Sequence, residues 1–276
     1  MIAADFAYYQ PQTLQELPDA LAQAGGGPYF FYAGGSEILS MARAGSIAPQ
    51  AVIDVKALAD LRRIRTENQT LILGAAATLS EIAESGVFPL LGTTASRIAD
   101  HTNQCRITLG GNVCGTIIYR EAVLPLLLAD TQVTLWQNGQ LHTEPLAARF
   151  CQRFIKAPDE LIVDFRVPAS FAKMPYVHVK RTRGDKIDYP LATIAAVGVP
   201  DGIRLAFSGV YPYPFRDPAL EKIASQTHLP PQIRAQRIVA GLTGPVQQDL
   251  LAKADYRLFV LQAALVQTLE RLEGLK

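Results

Sequence analysis

The chain has 276 residues, 49% of them hydrophobic and 18% charged, with a formal net charge of +1. That length is ample for two or three modest domains with sizeable cores. The near-neutral charge gives no global field that would favour nucleic acid or an anionic membrane. Three cysteines (Cys105, Cys114, Cys151) are too few and too scattered for a disulfide framework or a zinc site. An iron–sulfur cluster usually takes four thiolates, so none is expected in this chain. His101, His142, His178 and His228 show no ligand spacing, and no metal ligand is assigned. The opening residues lack a signal-peptide pattern, and no apolar run approaches the roughly 20 residues of a membrane span. A cytoplasmic protein with free thiols is expected.

In chain order, the pattern predicts a helix over 13–24 that stops at Gly25-Gly26-Gly27. A buried strand at 28–32 follows, then the loop Ala33-Gly34-Gly35-Ser36, a helix over 37–45 and an apolar strand at 51–55. Together these form a small βαβ-like unit. A second unit opens with a strand at 71–73 and predicts helices over 79–85 and 89–101. After these come the glycine loop at 108–116, an apolar helix at 122–130, and strands at 131–136 and 160–167, before Pro168 breaks the pattern. From Tyr176 the chain turns to three alternating strands, 176–183, 192–199 and 203–210, and then to helices near 219–226, 232–241 and 246–272. Strands first and helices after, in one block, argue an α+β module. The boundary is expected between Pro168 and Pro175.

Two glycine loops carry the candidate chemistry: AGGSE at 33–37 and TLGGN at 108–112. Binding a pyrophosphate needs backbone N–H groups aimed at oxygen, with no side chain blocking the approach. Adjacent glycines followed by Ser36 or Asn112 meet that need, and two such loops can hold one dinucleotide from two sides. Neither fits the spacing of a Rossmann fingerprint or a P-loop. A lone Gly-Gly is more often simply a turn. Spacing alone stops at an α/β protein that binds a nucleotide or does not.

The wording of the whole chain goes further. FAYYQPQTLQEL, AGGSEIL, GAAATLSEI, TLGGN, DELIVDFRVP, VKRTRGDKID, FSGVYPYPFRDPALE and ADYR occur in that order over nearly the full length. This series resembles the flavin subunits of the xanthine dehydrogenase and carbon monoxide dehydrogenase family. The resemblance implies an α+β fold. A two-subdomain PCMH-type FAD-binding module would span 1–170, with subdomains of about 1–57 and 58–170. A C-terminal domain with a three-stranded sheet and helices would span 175–276.

It also implies FAD in this chain. The first loop would wrap the pyrophosphate through Phe31, Tyr32, Ala33, Gly34, Gly35, Ser36, Glu37 and Ile38, with Ser36 donating a hydroxyl hydrogen bond. Glu37 stands where the family has Asp or Glu near the cofactor; it also reads as a helix N-terminal acid favoured by the macrodipole, and the two roles can coexist. The second loop contributes Thr108, Gly110, Gly111 and Asn112, with Thr116 as a further polar contact. Where the family has Ser-Asp, this chain has Arg120-Glu121. Glu121 either reaches the ribityl hydroxyls or starts a solvated helix. Leu161 and Ile162 stand where the family packs an aliphatic side chain near the cofactor, or are ordinary strand core. Lys180 lies in a strand that approaches the flavin, while Arg181, Arg183 and Lys186 read as a solvated loop. Before the second glycine pair the chain is about two residues shorter than the family pattern, at Arg106-Ile107-Thr108. Cys105 and Cys114, which flank this loop, read as buried free thiols. Tyr8, Tyr9, Tyr32 and Tyr119 would cover the flavin or simply fill cores, and any one of them taken singly reads as core.

No catalytic side chain is assigned, because in such a subunit the cofactor carries the reaction. The partners implied are a small subunit with two [2Fe–2S] clusters and a large molybdenum–pterin subunit, in a dimer of heterotrimers. NAD or another molecule would accept the electrons. The final apolar stretch is expected to pack on its own domain. Two other readings stand beside this one: a stand-alone flavin oxidoreductase, and a flavin-free scaffold subunit. The organic substrate is left open, since its pocket would lie in another chain.

Overall fold

The computed structural model describes residues 5–185 and 187–275, so the reading of Lys186 lies outside the described residues. The first unit holds β1 (Ala7–Tyr9), α1 (Leu17–Ala24), β2 (Tyr29–Tyr32), α2 (Ser36–Arg43) and β3 (Ala51–Asp54). Its three strands form a parallel sheet in the order β1-β3-β2. Alternation sorts the faces. Ile53 turns into a core with Leu14, Leu17, Leu58, Leu61 and Val163, while Tyr8 and Asp54 face the other way. Tyr8 is therefore not a core residue, as expected from sequence, but 53% exposed.

The second unit runs through β4 (Ile64–Glu67), β5 (Thr70–Gly74), α3 (Leu79–Ser85), α4 (Pro89–Ala95), α5 (His101–Gln104), α6 (Leu109–Cys114) and α7 (Val123–Leu128). It continues with β6 (Gln132–Gln137), β7 (Gln140–Pro145), α8 (Leu146–Arg149), β8 (Phe150–Cys151), β9 (Arg153–Phe154) and β10 (Leu161–Pro168). The main sheet is antiparallel, in the order β4-β5-β10-β6-β7. The helix expected over 89–101 stops at Ala95, and Ala99 takes a left-handed φ of 55°. The Gln104 amide holds that corner by donating to the carbonyls of Ser96 and Ala99.

The last unit holds β11 (Tyr176–Thr182), β12 (Pro190–Val199), β13 (Gly202–Ser208), β14 (Phe215–Arg216), α9 (Pro218–Ala224), α10 (Pro231–Ala240) and α11 (Ala254–Glu273). Its antiparallel sheet follows chain order and adds the short β14 to the three strands read from sequence. One face carries Ala195, Val197 and Ala206 into the core of the second unit. The other packs Ile194, Ala196 and Phe207 on Leu261, Leu265 and Leu269 of α11. α11 starts at Ala254 rather than near Val246, because the Asp249 carboxylate takes the Leu251 and Ala252 amides in a turn. Arg257 closes that end of the helix. It is fully buried, pairs with Asp249, and donates to the carbonyls of Pro190, Leu191 and Gly209. Among the described residues no helix is long and apolar enough to cross a membrane.

Candidate functional site

The two glycine loops come together. Gly34 packs on the main chain entering the second loop, where an added Cβ would collide with the Arg106 carbonyl. Gly35 has φ 68° beneath the Tyr32 ring, a conformation that suits glycine. From there α2 begins. Among the described residues, the amides of Gly34, Gly35, Ser36, Glu37 and Ile38 find no acceptor in the protein, and the first bonded one is Leu39, to Gly35. This is a run of unused donors at the positive end of a helix.

The second loop spends its donors internally. The Leu109 amide bonds Ala77, Gly110 bonds Ala75, Gly111 bonds the Thr108 hydroxyl, and Asn112 bonds the Thr108 carbonyl. Thr108 is the N-cap of α6, which fits its place just before the glycines. Gly110 allows close packing, since a Cβ there would stand 2.8 Å from that of Ala75. The buried Asn112 side chain accepts from the Ala122 amide and fixes the start of α7.

Glu37 joins the loops. Its carboxylate accepts from the Thr116 amide (2.9 and 3.0 Å), the Thr116 hydroxyl (2.8 Å) and the Ile117 amide (3.1 Å). It is a helix N-terminal acid, and it also anchors the segment that leaves the second loop. Thr116 is thereby engaged with Glu37, and the Ser36 side chain makes no hydrogen bond among the described residues. No sequence spacing marks a pair 79 residues apart.

Glu121 and Lys180 meet across the two units at 2.8 Å, each with a side chain only 5% exposed. Glu121 also accepts from Thr193, and Lys180 donates to the Arg97 carbonyl. Glu121 is thus no solvated helix start, because β11 and β12 cover it. Arg181 and Arg183 are exposed, as read. Leu161 and Ile162 are buried on opposite sides of β10, in different cores. The three cysteines are surface-accessible, which corrects the expectation for Cys105; Cys114 is accessible yet crowded by protein, and burial pushes its thiol up to about 12. Those two sit at the ends of α5 and α6, outside the apolar faces of the helices. Among the described residues no cluster of acids, histidines and cysteines is built to hold a metal.

Three neighbours escaped the sequence reading. Asp54 is buried and accepts from Tyr8 and Lys56, each at 2.5 Å, and the Lys56 ammonium lies over the Tyr32 ring. The Asp54 bond, with burial, pushes the Tyr8 phenol up to about 12. These groups, with Leu39 and Val52, line an open cleft of about 380 Å³ beside the first loop. The third neighbour is Arg120, taken up below. A polar residue beyond a glycine loop carries no signal of its burial.

Against known proteins, residues 4–170 match the profile described as FAD binding domain in molybdopterin dehydrogenase. The chain belongs to that family. It is 28% identical over 273 residues to the carbon monoxide dehydrogenase medium chain of Hydrogenophaga pseudoflava, covering 93% of each. It is 26% identical over 231 residues to the caffeine dehydrogenase subunit beta of Pseudomonas sp. (strain CBB1), covering 79% of this chain and 77% of the relative. A solved carbon monoxide dehydrogenase from Hydrogenophaga pseudoflava, lacking the Mo-pyranopterin moiety of its cofactor, superposes with a TM-score of 0.84 at 25% identity, over 99% of both chains. Quinoline 2-oxidoreductase from Pseudomonas putida 86 shares the fold, with a TM-score of 0.85 at 19% identity over 99% of both chains. The architecture is the α+β, PCMH-type one of this family's flavin subunits, and the chain is an oxidoreductase subunit.

Proposed function

We propose that the chain is the FAD-binding electron-transfer subunit of a molybdenum-containing hydroxylase or dehydrogenase. The observation that carries the reading is the run of unused amides from Gly34 to Ile38 at the start of α2. It is a ready cradle for a pyrophosphate. FAD held there supplies the exchange between one-electron and two-electron steps. Electrons would come from [2Fe–2S] clusters in a small partner subunit, fed by a molybdenum–pterin centre in a large one, and leave to NAD or another acceptor. The complex is read as a cytoplasmic dimer of heterotrimers.

In this reading the residues of this chain bind and orient. Phe31, Tyr32 and Ala33 lead β2 into the cradle, and Ser36 adds a free hydroxyl. Thr108, Gly110, Gly111 and Asn112 form a stiff wall opposite, with Glu37 and Thr116 fixing the spacing between the loops. Glu121 keeps carboxylate lone pairs beyond those used by Lys180 and Thr193, which suits it to the ribityl hydroxyls. Lys180 holds Glu121 in place, and Ile162, buried in the core of the second unit, would supply the aliphatic side chain near the cofactor. The test is the visible spectrum of the purified full chain before and after incubation with FAD. One bound flavin per chain, lost when Gly34 is replaced by isoleucine, supports the reading. A chain that takes up no FAD, alone or with its partner subunits, overturns it and leaves the scaffold reading.

A further inference from the structure

Arg120 is a buried cation held by main-chain carbonyls and a ring face, with no acid paired to it among the described residues. It is 5% exposed, and its backbone sits at φ 34°, a left-handed conformation that an arginine does not favour. Its guanidinium donates to the carbonyls of Gly115 (3.3 Å) and Gln152 (2.7 Å), lies 5.7 Å over the Phe150 ring, and leaves Nε without a partner. It forms no ion pair among the described residues. Glu37 is the acid whose charge acts on it favourably, and that carboxylate is already engaged by Thr116 and Ile117. Burial, with the like charge of Arg153 behind it, holds the guanidinium below its usual range despite Glu37. Such a charge is costly unless something anionic completes its surroundings.

Its position says what that anion is. Gly115, which takes one Arg120 bond, closes α6 directly after the second glycine loop, and a Cβ on it would lie 3.4 Å from Glu37 Oε2. Arg120 therefore stands at the joint of the two loops. A second cation flanks the first loop. Lys156, an exposed residue, has its Nζ 5.7 Å from the ring of Phe31 in β2, and among the described residues donates only to the main-chain carbonyls of Ala157 and Glu160. One of its three N–H groups is left over.

We propose that Arg120, assisted by Lys156, is a cationic contact for the phosphates of the bound dinucleotide, additional to the backbone cradle. The proposal rests on the FAD reading above. It also gives the Arg120-Glu121 departure from the family pattern a purpose: Glu121 faces Lys180 and the C-terminal sheet, while Arg120 lies between Gly115, at the end of the second loop, and the β8–β9 turn at Gln152.

The test uses the full chain and compares wild type with Arg120→Met, Arg120→Lys and Lys156→Met. FAD affinity, its dependence on salt, and the melting temperature of the flavin-free protein are measured, with ADP as a second probe. In Arg120→Met, loss of a charge-assisted contact should weaken both FAD and ADP about 10- to 100-fold and flatten the salt dependence. The flavin-free melting temperature should hold or rise, because a buried unpaired charge has gone. Arg120→Lys should recover part of the affinity, and Lys156→Met should lose a smaller part. FAD and ADP affinities within twofold of wild type would overturn the proposal. So would a lower flavin-free melting temperature with affinity intact, which marks Arg120 as a structural tie or as a partner's contact. If Arg120→Met does not fold, the other two variants decide, and unchanged affinity in both overturns it. A wild-type chain that binds neither FAD nor ADP defeats the functional reading itself, and this proposal with it.

Discussion

Among the described residues the amides of residues 34–38 find no acceptor, whereas those of residues 109–112 are all taken, by Ala77, Ala75 and Thr108. In sequence the two segments look alike: small residues, a glycine pair, then a short polar side chain. What separates them is their surroundings. The first loop leaves a parallel strand and turns directly into an eight-residue helix, so its donors face outward. The second begins at a bridge between Thr108 and Thr78 and lies against Ala75, so that Ala77, Ala75 and Thr108 between them take up its donors. Glycine serves open donors in one loop and close packing in the other. The lesson is that a glycine pair is informative only once its N–H groups have been traced to their acceptors.

This contrast can be broken by substitution. The largest effect is expected from Gly34→Ile, which forces the first loop off the Arg106 carbonyl: the flavin spectrum should vanish while the far-UV circular dichroism stays folded. Gly110→Val should do the reverse. Overpacking against Ala75 should cost about 1–3 kcal/mol of stability, seen as a lower urea midpoint, while the folded fraction still binds FAD. If Gly110→Val instead abolished binding at unchanged stability, the assignment of roles would be inverted. Glu37→Gln weakens the joint between the loops. With charge-assisted bonds from Thr116 and Ile117 reduced, FAD affinity should fall about tenfold, from the worth of roughly one such bond. A titration showing no loss would mean that the two loops hold their spacing without Glu37.

The smallest effect concerns pH. His178 is buried with both ring nitrogens unpartnered, and burial, then the charges of Arg97 and Lys180, push it from 6.5 down to about 3. The unfolded chain therefore takes up a proton on this histidine as pH falls below 6.5, and the folded chain does not until about 3. Its contribution to stability is complete above pH 6.5 and is lost as pH falls through that window. His178→Phe should flatten the acid limb of a stability-against-pH curve. An unchanged slope would show that the other groups set it.

Much of the chain was legible because its signals are local. The periodicity of 79–85 carries its own capping box, with Thr78 and Glu81 each satisfying the other's amide. The alternation of 176–199 marks a strand pair. β7 escaped because it is a polar edge strand with no apolar face to betray it. A signal was available in Asn138-Gly139, whose φ values of 51° and 79° make the tight hairpin turn that such a pair favours. Asn68-Gln69 does the same for β4 and β5, with φ 44° and 60°. The site was half legible. Its glycines were visible, but Glu37 to Thr116, Glu121 to Lys180, and Asp54 to Tyr8 are contacts made by tertiary structure alone. Arg120 was noticed only as a departure, since nothing in a single sequence distinguishes a buried arginine from a solvated one.

The measurement that bears most directly on the central claim is a titration of the purified full chain with FAD, followed by flavin fluorescence, for wild type, Gly34→Ile and Gly110→Val side by side. The account predicts one flavin bound per folded chain in wild type and in Gly110→Val, and none in Gly34→Ile. Equal binding by all three would contradict it, because the open amides at the start of α2 would then not be where the dinucleotide is held.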